Sequence, residues 1–323
     1  MAHAITPMKR RRRFKPSPEE SLAFAPSDLE ILRTVADHDI IDSRALRQLL
    51  DRGDQGILRR LRELFDHDYL RRPLKQIERY RDGGGSSPMV YTLGNRGILE
   101  LEQRLNYRRS KIDWTARART LKRGFIDHTL GITEFMVRLE LTCRDRGHLR
   151  IVHLEEILQT AAPAATRSNV RAYQWAVPVE WNSLRKEITL TPDRIFAIED
   201  KNRPAGANRR FFFLEVDRGT EPADTDNLLR TSIRKKLAAY SQTHGRKLHQ
   251  SVYGMNSFRV LFVVDGTREG RIKSITDTYR KRRLDLTGAG LFLFAAEREL
   301  RTAKDVLVAP WVNAEGQPIS LLL

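Results

Sequence analysis

Three carboxylates stand where apolar runs predict strand ends. Asp193 follows Thr191-Pro192 and precedes Ile195-Phe196-Ala197-Ile198, while Glu215 and Asp217 close the run Phe211-Phe212-Phe213-Leu214. Residues two apart on a strand point to the same side, so Glu215 and Asp217 project together, and pairing of the two strands brings Asp193 beside Glu215. Three carboxylates converging at the edge of a buried sheet repel one another unless a divalent cation neutralises them. Mg²⁺ or Mn²⁺ held this way positions a water and stabilises charge on a scissile phosphate. The competing reading makes Asp193 the start of a turn and pairs Asp217 with Arg194 or Arg218. Lys236 shares a helical face with Ile233, Leu237 and Tyr240, from which it either reaches the same strand end or snorkels to solvent. Glu134 and His128 lie on the preceding long helix, Glu134 read as a surface residue or an added acid, His128 as a core residue or one facing the site.

These residues need a frame. The pattern predicts a helix over 126–141, extended segments over 172–181, 187–198 and 211–216, a helix over 226–242, a strand over 258–264, a helix over 268–283 and a strand over 291–294. Three successive strands suggest an antiparallel meander, and the strand after the next helix a parallel crossover. Phe211-Phe212-Phe213-Leu214 lacks alternation and is expected as a central strand buried on both faces.

The first part of the chain reads differently. Ser27 with Glu30 predicts a capped helix over 27–37, and Asp42 or Ser43 caps a second short helix bearing Ala45, Leu46, Leu49 and Leu50. A third helix over 55–65 has Ile57, Leu58, Leu61, Leu64 and Phe65 on one side and Arg59, Arg60 and Arg62 opposite. Tyr69 to Pro73 and Met89 to Leu93 read as the strands of a hairpin around a glycine-rich turn over 82–87, followed by a closing helix over 95–105. Helix-turn-helix spacing, arginines on the third helix and a basic hairpin predict a winged helix bound to duplex DNA, with Arg59, Arg60 and Arg62 in the major groove. Arg71, Arg72, Arg79 and Arg81 then meet phosphates along the wing. The alternative is a helical dimerisation domain.

The composition agrees with a polyanion partner. The 323 residues hold 58 Lys and Arg against 41 Asp and Glu, a net charge of +17. Residues 1–124 carry 27 basic and 17 acidic groups, and residues 125–323 carry 31 and 24. Sign alone does not choose among DNA, RNA and membrane surfaces. No apolar run approaches the roughly 20 residues of a bilayer span. The basic run Lys9 to Lys15 leads into Pro16, Ser17 and Pro18 rather than an apolar segment, so no secretory signal is expected. The one cysteine, Cys143, excludes an internal disulfide framework and a Cys-based zinc cluster. A cytoplasmic protein is expected.

Pro192-Asp193 followed by Glu215-Val216-Asp217 resembles the PD-(D/E)xK nuclease superfamily. Asp127-His128-Thr129-Leu130, Thr191-Pro192-Asp193, Leu214 to Thr220 and Lys236-Leu237-Ala238-Ala239-Tyr240, behind a winged helix, resemble the replication-relaxation family of plasmid and mobile-element proteins. That resemblance implies an α+β protein: a disordered basic arm at 1–26, a winged helix-turn-helix at 27–106, a basic connector at 107–124 and a restriction-endonuclease-like α/β core at 125–323. It implies Asp193, Glu215 and Asp217 as ligands of Mg²⁺ or Mn²⁺. The superfamily places a lysine two residues after the glutamate, where this chain has Asp217, and some members move it to the following helix, where Lys236 stands. Two functions stay open: a metal-dependent endonuclease or nickase, and a non-catalytic replication or transcription factor. Double-stranded DNA is the expected partner, with a homodimer or a replication or mobilisation protein beside it, and no membrane.

Overall fold

The computed structural model describes residues 13–18, 21–80, 87–107, 118–169, 171–182, 184–227, 229–265, 270–282 and 288–322, without the side chains of 54, 78–80 and 289. The start of the basic arm, the side chain of Arg79, Arg81 with the glycine turn, and most of the connector lie outside the described residues. The chain forms two compact units, residues 1–133 and 134–323, and their boundary falls inside the helix Arg123–Asp145. The fold is α+β.

In the first unit α1 (Pro26–His38), β1 (Ile41–Asp42), α2 (Ser43–Leu50) and α3 (Asp54–Asp66) lead to β2 (Leu70–Arg71), a 3₁₀ segment (Leu74–Tyr80), β3 (Val90–Leu93) and α4 (Asn95–Leu105). Asp42 caps α2 as expected, its Oδ1 accepting from the amides of Arg44 and Ala45 at 2.9 and 2.8 Å. The first helix starts earlier than its Ser27 signal. Pro26 takes the first helical position and Asp28 accepts from the Ala25 amide at 2.7 Å. The strands pair antiparallel in the order β1-β3-β2, with Leu70 opposite Leu93. Gln76 of the 3₁₀ segment closes the sheet by bonding both the amide and the carbonyl of Val90, at 2.8 and 3.0 Å. Ile31, Leu32, Val35, Leu46, Leu61, Leu64 and Leu101 are buried in this unit. Gly94 admits the close approach of the turn before β2, since a Cβ there would meet Asp68 O at 2.2 Å. Part of the expected arm is ordered: the Ser17 amide donates to Asp66 at 2.9 Å and Phe24 stacks on Tyr69.

After α5 (Arg123–Asp145), the second unit holds β4 (Leu149–His153), α6 (Leu154–Thr160), α7 (Ala164–Arg167), β5 (Trp175–Trp181), β6 (Leu184–Leu190), β7 (Arg194–Asp200) and β8 (Arg209–Asp217). It continues through α8 (Ile233–Gly245), α9 (Leu248–Tyr253), β9 (Phe258–Val264), α10 (Arg271–Lys281), β10 (Phe292–Ala296), α11 (Glu297–Thr302), β11 (Trp311–Asn313) and β12 (Pro318–Ile319). Seven strands form one mixed sheet in the order β12-β11-β10-β9-β8-β7-β4. The crossover through α8 makes β8 and β9 parallel, as expected, and Phe212, Phe213 and Leu214 are buried on both faces.

The meander is corrected. The segment over 187–198 breaks at Pro192, which has no amide to continue a ladder, and its first half joins β5 in a separate two-stranded sheet. The place beside β7 goes instead to β4, antiparallel, with Ile151 opposite Ile198. Near the end of the chain Val306, Leu307, Trp311 and Leu321 are buried in their own unit, and Trp311 meets Phe135 edge-on.

A carboxylate and lysine cluster at the sheet edge

β7 runs antiparallel to β8 with Arg194 opposite Leu214, and one further step of that register sets Asp193 opposite Glu215. The Asp193 amide donates to Leu214 O at 3.0 Å, and its Oδ2 accepts from the Val216 amide at 2.7 Å. Asp193 is thereby stitched to the strand that carries Glu215. Phe213, Glu215 and Asp217 share the face covered by α8: Tyr240 stacks on Phe213 and donates its hydroxyl proton to Glu215 Oε1 at 2.6 Å. Four residues back along α8, Lys236 places Nζ 2.9 Å from Glu215 Oε2 and 3.4 Å from Glu221 Oε2. Ser232 starts this helix by accepting from the Lys235 amide.

Glu215 is 1% exposed. Burial pushes its carboxyl up to about 7, against the pull of the Lys236 ammonium and with the Asp193 charge adding to the rise. Burial works to lower the Lys236 ammonium, but the carboxylates of Glu215, Asp193 and Glu221 outweigh it and hold Lys236 above its ordinary range. Tyr240 is raised well above the usual phenol range by burial and by Glu215, so it stays a neutral donor. In this pair Lys236 keeps its proton and Glu215 is the group that titrates.

The expectation of three converging carboxylates is corrected at Asp217. Its side chain accepts from Arg271 Nε at 2.7 Å and Nη2 at 3.2 Å, and from the Gly219 amide at 2.9 Å. Neither Arg194 nor Arg218 takes this place. Arg271 also donates to Glu221 O at 2.7 Å, fixing the loop that presents Glu221. Among the described residues, no group of three or more His, Cys, Asp or Glu side chains is disposed to hold a metal ion. The donors that do face one cation are Glu215 and Glu221, with Asp193 close enough to act on both Glu215 and Lys236, and that cation is an ammonium. Glu134 is 39% exposed and pairs with Arg138 and Arg301. His128 is half-buried in the first unit.

A family model described as replication-relaxation matches residues 32–258, a span that includes Asp193, Glu215, Asp217 and Lys236. The chain belongs to the replication-relaxation family. No curated protein and no solved structure matches it.

The arginines read from the sequence of this replication-relaxation protein take unequal places. Arg59 on α3 is 81% exposed, with Glu63 at 3.7 Å. Arg60 is turned inward: it grips the fully buried Asp28 at 2.7 and 2.5 Å and donates to Glu63 and Ala23 O. Its hydrogen bond to Asp28 raises it further above the ordinary guanidinium range, against burial. Arg62 pairs with Asp66 at 2.7 Å, and Arg71 with Asp68 at 2.6 Å. Arg72 is 8% exposed, stacked over Phe65 and Tyr91 at 4.3 and 5.1 Å and bonded to Tyr91 Oη and Arg13 O. Arg60 and Arg62, expected in the major groove, and Arg72, expected on phosphate along the wing, are thus held by nearby acids and aromatic rings. Tyr240, Glu221 and Arg271 were not among the residues singled out for the site, although Tyr240 lies one helical turn beyond Lys236.

Proposed function

We propose that this protein acts in plasmid or mobile-element replication or relaxation as a metal-dependent DNA endonuclease or nickase. The observation that carries this reading is Lys236 Nζ at 2.9 Å from Glu215, with Asp193 opposite Glu215 in register. A helix supplies here the positive charge that position 217 cannot. Asp193 and Glu215 are a carboxylate pair of the kind that holds Mg²⁺ or Mn²⁺. Mg²⁺ is commonly held by one or two carboxylates with water and substrate phosphate completing its shell, and Glu215 Oε2 is buried with a cation, the Lys236 ammonium, already beside it at 2.9 Å.

Asp193 and Glu215 would hold the ion, which when bound lowers the pKa of its water and stabilises charge on the phosphate. Val216 fixes the Asp193 rotamer through its amide, and Tyr240 fixes Glu215. Lys236, protonated and 24% exposed, is placed to donate to a phosphate oxygen where charge develops. Asp217 and Arg271 hold the loop behind the cluster. In the first unit, α2, α3 and the antiparallel strands support the winged-helix reading, with Arg59 the solvent-facing cation on α3.

The test is supercoiled plasmid with Mg²⁺ or Mn²⁺, comparing the wild type with Asp193→Ala, Glu215→Ala and Lys236→Ala. Nicking or cutting by the wild type alone is expected. Intact duplex binding with no cleavage by any of the four proteins sinks the nuclease and leaves the second reading, a non-catalytic DNA-binding factor. One observation favours that reading: Arg271 occupies Asp217, and both oxygens of Glu215 face cation or donor already.

A further inference from the structure

Several arginines of the second unit that are withdrawn from water hold carboxylates. Arg150 and Arg209 share Glu156 and Glu199. Arg146 holds Asp305, Arg234 holds Asp224 and Asp226, Arg271 holds Asp217, and Arg282 holds Asp224. Arg210 and Arg259 break this habit. Both are half-buried, and among the described residues neither has a carboxylate partner in ion-pair range. Arg259 Nη1 donates to Ser320 O at 3.3 Å, a neutral acceptor that leaves its charge uncompensated.

The two are neighbours by register. Arg259 lies opposite Phe212 on the parallel pair β8 and β9. Arg210 stands two residues before Phe212, so both side chains leave the same face of the sheet. Burial and the nearby Arg203 hold the Arg210 guanidinium below its ordinary value, and burial and Arg210 do the same to Arg259. Asp200, the acid that acts on Arg210, is already engaged by Arg203 at 3.5 Å and by the Asn202 amide. Two like charges withdrawn from water side by side cost stability unless an anion joins them.

This place differs from the carboxylate cluster. Glu215 is odd and Arg210 even along β8, so they leave opposite faces, and five residues of strand separate them by roughly 17 Å. Guanidinium groups suit phosphate oxygens, which they engage in bidentate fashion and with weak hydration of their own.

We propose that Arg210 and Arg259 form a phosphate-binding site on the sheet face opposite the carboxylate cluster, and that its ligand is a phosphodiester of the DNA backbone. The assignment rests on the reading of the protein as a DNA binder. It gives part of the positive charge of the second unit a specific job.

The experiment titrates the full chain into a fluorescent DNA duplex at several salt concentrations. Arg210→Gln/Arg259→Gln should lower affinity at least about tenfold and reduce the slope of log K against log salt by about 2. Arg167→Gln/Arg230→Gln, which removes the same charge from exposed positions, should change affinity less than about threefold, and Arg210→Lys/Arg259→Lys should restore part of the loss. Thermal unfolding separates binding from structure: relief of the repulsion leaves the melting temperature of the Gln variant equal or higher. Equal losses in both Gln variants, or a wild-type slope in the Arg210/Arg259 variant, overturn the proposal while leaving DNA binding intact. If the wild type binds no duplex, the reading it rests on fails instead. Calorimetric titration with inorganic phosphate separates the sources. Binding of phosphate that depends on both arginines, without any effect on DNA affinity, overturns the backbone assignment.

Discussion

Lys236 Nζ and Glu215 Oε2 meet at 2.9 Å across the gap between α8 and β8. The ammonium also lies 3.4 Å from Glu221 and within the field of Asp193, so it stands among three carboxylates. If a divalent ion binds Glu215 as proposed, the lysine competes with it for that carboxylate.

Lys236→Met tests that competition. Removing the ammonium leaves Asp193, Glu215 and Glu221 without a cation, so Mn²⁺ affinity measured by calorimetry should rise at least about tenfold, or about 1.4 kcal/mol. Plasmid cleavage should fall at the same time, because the charge that meets the phosphate has gone. Unchanged Mn²⁺ affinity would show that the ammonium does not occupy the ion's place.

Glu215 gives a pH dependence with a definite sign. Its folded carboxyl is raised from 4.5 to about 7, so between those values the native state binds the extra proton. The stability it contributes is fully present below about pH 4.5 and is lost as pH rises through 7, by up to about 3 kcal/mol. Glu156 and Glu199, whose folded pKa values are lowered, act in the opposite direction. The measurement is therefore a difference: the unfolding free energy of wild type minus that of Glu215→Gln should fall between pH 5 and 7.5. A flat difference contradicts the assignment.

The pair Asp217 and Arg271 should behave as a buried ion pair. Asp217 is 5% exposed, and removal of its partner strands a charge, which costs about 3–5 kcal/mol. Arg271→Ala should lose that much in urea unfolding. Asp217→Asn in the same chain should recover about half or more, since the stranded charge is then gone. Additive losses in the double variant would argue against coupling.

Much of this site was legible before the fold. The apolar run that ends in Glu215 and Asp217 and the helical spacing of Lys236 and Tyr240 are local patterns, and local patterns fix strand and helix faces. What stayed hidden depends on distant partners. β4 carries Arg150 and His153 amid Leu149, Ile151 and Val152, and this reads as a poor strand until Glu199 and Glu156 neutralise Arg150. Arg271 meets Asp217 across 54 residues, with no spacing rule to connect them. Arg60 of α3 is a case of the same kind: it looks solvent-facing by periodicity, but Asp28 draws it into the unit.

That difference among arginines yields a separable pair of variants in the first unit. Arg59 has its guanidinium in solvent and its nearest acid at 3.7 Å, so Arg59→Ala should leave thermal unfolding within about 0.5 kcal/mol of wild type. If α3 lies in the major groove, duplex affinity should drop by about 1–3 kcal/mol. Arg72 is the reverse case: its guanidinium lies between Phe65 and Tyr91 and bonds Tyr91 Oη, all inside the unit. Arg72→Ala removes those contacts and leaves space between two rings, at a cost of about 2–4 kcal/mol in stability. At a temperature where both variants remain folded, Arg72→Ala should bind duplex DNA nearly as wild type does. Loss of affinity in Arg72→Ala without loss of stability would place Arg72 on the DNA and reverse the assignment.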